Sequence, residues 1–168
     1  MDGDEVYSTF LTERLDAQEA RKASLEQRGI IVITTAGALA TLLLAVAGVV
    51  TSQKDYGPPA SVTPLLVATA AAFLFAALLA LATNLPLRYR EIDVPTTLAM
   101  MQAHWGETST SALARTTATR AALLRGAQRA NNMKSWLLVA ALGCEAIALV
   151  LLVVVVALLL GQGTLTAR

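Results

Sequence analysis

The stretch "ARKASLEQRGIIVITTAGALATLLLAVAG", residues 20–48, decides the fold. Up to Arg28 it is charged and rich in helix formers; from Ile30 it is apolar for over twenty residues. No proline or turn cluster divides the halves, and Gly29 alone marks the change. A run of roughly 18 or more apolar residues with few charges reads as a membrane-crossing helix. The stretch therefore predicts a solvated helix that continues into a membrane span.

The same pattern recurs along the chain. The 168 residues are 55% hydrophobic and only 15% charged, whereas soluble domains carry nearer about a quarter charged residues. Residues 29–53 and 56–87 hold no charge, and 135–167 hold one, Glu145. Three spans follow: 30–50, 64–85 and 136–160. The first, at about 1.5 Å per residue, reaches about 31 Å and matches a bilayer core of about 30 Å. A secretory leader has a short basic start and an apolar core of about 7–15 residues. Here a polar segment with seven acids comes first, so the leader reading is rejected.

The expected architecture is an all-α membrane protein: three transmembrane helices under a cytoplasmic layer of polar helices continuous with spans one and three. Residues 1–168 form a single membrane domain. It comprises a cytoplasmic helix (1–29), span one (30–50), an outside loop (51–63), span two (64–85), cytoplasmic helices (86–135), span three (136–160) and an outside tail (161–168). Val6, Phe10, Leu11, Leu15 and Leu25 form the apolar stripe of the first helix. Thr63 before Pro64 reads as a cap and first helical position. Pro86 and Pro95 bracket a non-helical stretch, a short helix spans 96–105, and Ser109 or Thr110 caps the long last helix. Basic residues near span ends favour the cytoplasm. Four lie in 1–29 and seven in 86–135, against Lys54 in the loop and Arg168 in the tail. The N terminus is thus expected inside and the C terminus outside.

The chemistry-bearing residues are few. One histidine, His104, and one cysteine, Cys144, are far apart, and no metal-ligand spacing or phosphate-binding glycine loop is present. No enzyme, cofactor or nucleic-acid partner is expected. Glu145 stands out at mid-span, where an ionisable group costs about 2.5–3.5 kcal/mol to insert. Sixteen Leu, Ile and Val residues in 136–160 offset that cost. Glu145 either serves a pore, a gate or a proton site, or bonds a threonine of a neighbouring helix: Thr34, Thr35, Thr41 or Thr69. Ala68, Ala72, Ala76 and Ala80, with Gly37 and Thr41, form small-residue rows suited to close helix packing. Arg88, Arg90, Arg115, Arg120, Arg125, Arg129 and Lys134 are candidates for lipid head groups or an acidic partner, and the acidic first helix is one such partner.

"EARKASLEQRGIIVITTAGAL" at 19–39 and "RANNMKSWLLVAAL" at 129–142 resemble the starts of membrane helices in the Pycsar-type and SLATT-type effector modules of bacterial antiviral systems. The alanine- and arginine-rich style also resembles that of actinobacterial membrane proteins. The resemblance implies a homo-oligomeric, membrane-perturbing or pore-forming effector in a bacterial plasma membrane. Pycsar-type effectors generally carry a cyclic-nucleotide sensor, for which this chain has no room, so sensing would fall to a partner or not exist. The competing expectation is a non-catalytic subunit of a larger membrane complex.

Overall fold

The computed structural model describes residues 3–52, 61–85, 94–104 and 106–163. Lys54, Arg88, Arg90, Trp105, Arg168 and the proline-flanked stretch before the short helix lie outside the described residues. Four helices follow one another: α1 (Gly3–Ser52), α2 (Val62–Asn84), α3 (Val94–His104) and α4 (Ser109–Gly163). Of the described residues 96% are helical and none is in a strand. Three helices are long and apolar enough to cross a membrane.

Helix boundaries differ from the sequence reading in small, explicable ways. Helix α2 begins at Val62, ahead of Thr63 and Pro64, and Ser61 makes no side-chain cap. Proline is tolerated throughout a first turn because those N–H groups have no intrahelical acceptor. Helix α4 is capped by Thr108 rather than Ser109 or Thr110. The Thr108 carbonyl accepts from the Ala112 N–H at 3.0 Å, and its hydroxyl meets that of Ser111. Helix α3 begins at Val94 rather than residue 96.

The chain divides into two compact units, Met1–Leu25 with Pro86–Lys134, and Glu26–Leu85 with Ser135–Arg168. In the first unit α1 and α4 pair in parallel. Their least exposed residues step by threes and fours: Ser8, Leu11, Leu15, Gln18, Lys22 and Leu25 on α1, and Leu113, Thr117, Arg120, Leu124, Ala127, Asn131 and Lys134 on α4. That alternation is the heptad seam of paired helices. It corrects the predicted apolar stripe. Val6 and Phe10 are 49% and 48% exposed, and polar Ser8 and Gln18 take seam positions instead. The reason lies on α4, whose polar seam residues need partners. Arg120 donates to Ser8 Oγ at 2.7 Å and to Thr12 Oγ1 at 3.2 Å. Buried Asn131 donates from Nδ2 to the Gln18 carbonyl at 2.8 Å and to Gln18 Oε1 at 3.1 Å.

The second unit is a three-helix bundle built from similar seams. Gly29, Val32, Ala36 and Leu43 on α1 are buried, as are Thr69, Phe73, Ala76, Ala80 and Thr83 on α2 and Leu138, Ala141, Glu145, Ala148, Leu152 and Val155 on α4. Phe73 fills the centre against Ala36 and Ala148. The alanines let the helices approach closely, and the phenylalanine supplies the bulk. The four-spaced row Ala68–Ala72–Ala76–Ala80 only partly coincides with this seam. Ala76 and Ala80 are buried, Ala72 packs beside the core, and Ala68 is exposed. Each four-residue step turns about 40° past a full circle, so a strict row of four rotates out of the interface.

Candidate functional site: a carboxyl bonded within an apolar bundle

Glu145 sits on the α4 seam and is 9% exposed. Its partner is on α1: Thr35 Oγ1 donates to Glu145 Oε1 at 2.6 Å. The same hydroxyl lies 3.0 Å from the Ile31 carbonyl and 3.1 Å from that of Val32. One proton serves three acceptors, and the carboxyl is the nearest. Thr35 therefore both closes its own helical turn and ties α1 to α4.

The other threonines turn inward on their own helices. Thr34 donates to the Ile30 carbonyl at 3.0 Å, Thr41 to that of Gly37 at 2.9 Å and Thr69 to that of Leu65 at 2.7 Å. Of the candidates drawn from sequence, Thr35 alone meets Glu145. Gly37 and Thr41 are exposed, and a Cβ placed on Gly37 would meet nothing within 4 Å. Gly29 is the opposite case. A Cβ there would collide with Thr83 Oγ1 and lie 3.0 Å from Asn84 Nδ2 and 3.2 Å from the Ala80 carbonyl. The glycine at the seam of the opening stretch is where α2 crosses close to α1.

In the other unit, a polar cluster joins α3 to α4. Arg115 donates to Glu107 Oε1 at 2.8 Å and lies 3.0 Å from His104 Nε2, while His104 Nδ1 is 2.9 Å from the same carboxylate oxygen. Arginine only donates, so Nε2 accepts and the proton belongs on Nδ1. Glu107 Oε2 is buried and has no hydrogen-bond partner among the described residues. In the sequence His104 stands out only as the single histidine. Arg115, eleven residues away on the next helix, offered no local signal.

The remaining bases follow the seam arithmetic. Arginines spaced by five and four cannot all fall on a line of threes and fours, so Arg120 is on the seam while Arg125 and Arg129 are exposed. Among the described residues none of Arg115, Arg120, Arg125 or Arg129 makes an ion pair with an acid of α1, one of the partners the sequence offered them. Lys134 is fully buried and engaged. No group of three His, Cys, Asp or Glu among the described residues is arranged to hold a metal.

The architecture defines a helical protein with three helices able to cross a membrane. No known protein family, curated protein or solved structure matches the chain.

Proposed function

We propose that the chain is a non-catalytic, multi-pass membrane effector that works by assembling with copies of itself in the bilayer. The N terminus and the segment before span three face the cytoplasm of a bacterial cell. The observation that carries this reading is the outer face of α1. Thr34, Gly37, Thr41 and Ala45 step by three, four and four residues and are all exposed. Both threonine hydroxyls on this face are already bonded to their own backbone, so the face is small, smooth and nearly apolar. Lipid gains nothing from such a surface, whereas a second helix can approach it closely enough for extensive van der Waals contact.

The Glu145–Thr35 bond favours a second reading. A carboxyl engaged between helices of one chain supports a scaffold or subunit of a larger complex rather than a conducting path.

Mass measurement of the detergent-extracted protein tests the first reading. The parent should be oligomeric, and Gly37→Leu, which fills the outer face without touching the core, should shift it to monomer. A monomeric parent, or a variant that assembles like the parent, would refute assembly through α1. Ion flux into liposomes separates the readings. Glu145→Gln should change flux if the carboxyl lines a pore and leave it unchanged if the group only bonds Thr35.

A further inference from the structure

The unit formed by Met1–Leu25 and Pro86–Lys134 has two flanks of opposite charge. On α1 the seam runs along Ser8, Leu11, Leu15, Gln18 and Lys22. At about 100° per residue, Arg14 and Arg21, seven apart, lie to one side of that line. Glu5, Asp16 and Glu19 lie to the other. All five are exposed. The Arg14 guanidinium stands 5.0 Å above the Phe10 ring, on the basic side.

That basic side carries a groove. Tyr7 of α1 and Leu113, Ala114, Thr117, Ala118 and Ala121 of α4 line an open space of about 360 Å³. Continuing from Ala118 and Ala121 along the same face of α4 leads to Arg125 and then Arg129, both exposed. The flank thus combines an apolar trough with four guanidinium groups. Among the described residues no ion pair engages Arg14, Arg21, Arg125 or Arg129, nor Glu5, Asp16 or Glu19.

We infer that the groove-bearing basic flank docks the acidic flank of α1 from a second copy of this chain. The inference rests on the assembly reading above and extends it from the membrane face to the polar helices. Copies inserted in one membrane with one orientation stand side by side, so one copy's acidic flank meets the next copy's basic flank. Such a contact is heterologous, and it closes into a ring when the rotation allows. The acidic helix supplies complementary charge, and Tyr7, 67% exposed, and Phe10 gain apolar cover. At Arg14 anionic head groups fit less well: it precedes Ile30 by sixteen residues of unbroken helix, about 24 Å at about 1.5 Å per residue, well beyond a Debye length of about 8 Å. Arg129 precedes Trp136 by only seven residues, about 10 Å, so at that end the choice between head group and second copy falls to the vesicle measurement below.

Charge exchange in the full-length protein tests the docking. Arg125→Glu with Arg129→Glu should weaken self-association by about tenfold or more, and so should Asp16→Arg with Glu19→Arg. Mixing the two proteins should restore an alternating assembly, because each junction again pairs opposite charges. All four substitutions in one chain should restore parental mass, which answers any concern that the separate variants misfold. Variants that assemble like the parent, or a mixture that stays dissociated, would overturn the inference. Binding to phosphatidylglycerol vesicles covers the other source of negative charge. If only the Arg125 and Arg129 changes reduce it, and mass is unaffected, the flank reads lipid and the inference fails. Gly37→Leu separates the two interfaces. If it leaves mass unchanged while the charge exchange behaves as expected, the polar contact stands and the membrane face falls.

Discussion

Gly29→Ala is the sharpest perturbation the bundle offers. In an ordinary helix the change stabilises by about 0.5–1 kcal/mol, because alanine loses less backbone freedom on folding. Here the added methyl meets Thr83 Oγ1, with Asn84 Nδ2 at 3.0 Å and the Ala80 carbonyl at 3.2 Å. The Thr83 hydroxyl donates to the Ala80 carbonyl at 2.7 Å and is fully buried, so it has no empty space to turn into. The carbonyl is backbone and moves only if α2 moves. Overpacking of a close interface costs about 1–3 kcal/mol, and disturbing the Thr83 bond adds about 0.6 kcal/mol. Setting the helix-propensity gain against these leaves a net loss of about 0.6–3 kcal/mol. Reversible unfolding of the detergent-solubilised protein in increasing SDS, followed by far-UV circular dichroism, measures it. Gly37→Ala is the internal control, since its methyl enters open space; it should match or slightly exceed the parent. Adding Thr83→Ala to Gly29→Ala should recover part of the loss and leave the part due to the Ala80 carbonyl. If Gly29→Ala is as stable as Gly37→Ala, the close approach of α1 and α2 is refuted.

Phe73→Ala empties the bundle centre between Ala36 and Ala148 and should cost about 3–5 kcal/mol in the same SDS titration. Asn131→Ala removes both bonds to Gln18 and empties a buried polar position of the seam, for about 1–3 kcal/mol; amide exchange in residues 8–22 should accelerate with it. Glu145→Leu breaks the bond to Thr35 and should lower stability by about 0.6–2 kcal/mol, while Glu145→Gln, which still accepts from the hydroxyl, should stay near the parent. A large loss in Gln with none in Leu would contradict the bonding role.

The three long helices were legible because charge is absent from stretches longer than a bilayer core is thick. The seams were not. Hydrophobicity ranks Val6 and Phe10 above Ser8 and Gln18, yet the structure buries the second pair more deeply. The cause lies over a hundred residues away, in Arg120 and Asn131, and no local window contains both partners. Glu145 was conspicuous as a lone acid, and Thr35 was among its possible partners, but nothing in the sequence separated Thr35 from Thr34. A difference of about 100° around the helix decides it. Gly29 was visible as a change of composition, while its reason, the crowding by Thr83, required α2 to be in place.

The mixed seam of α1 and α4 also limits how these helices move past each other. Sliding one against the other by a heptad, about 10.5 Å, would bring Asn131 opposite Leu11 or Leu25 instead of Gln18. It would also carry Arg120 away from Ser8 and Thr12. A buried amide facing leucine forfeits about 1–3 kcal/mol, and the arginine adds its own penalty. The pair therefore behaves as a keyed shaft: axial slip is blocked, whereas rolling about the long axis exchanges neighbours gradually. A stimulus acting on this unit is transmitted as torque or as separation, and a piston stroke is the motion its side chains forbid.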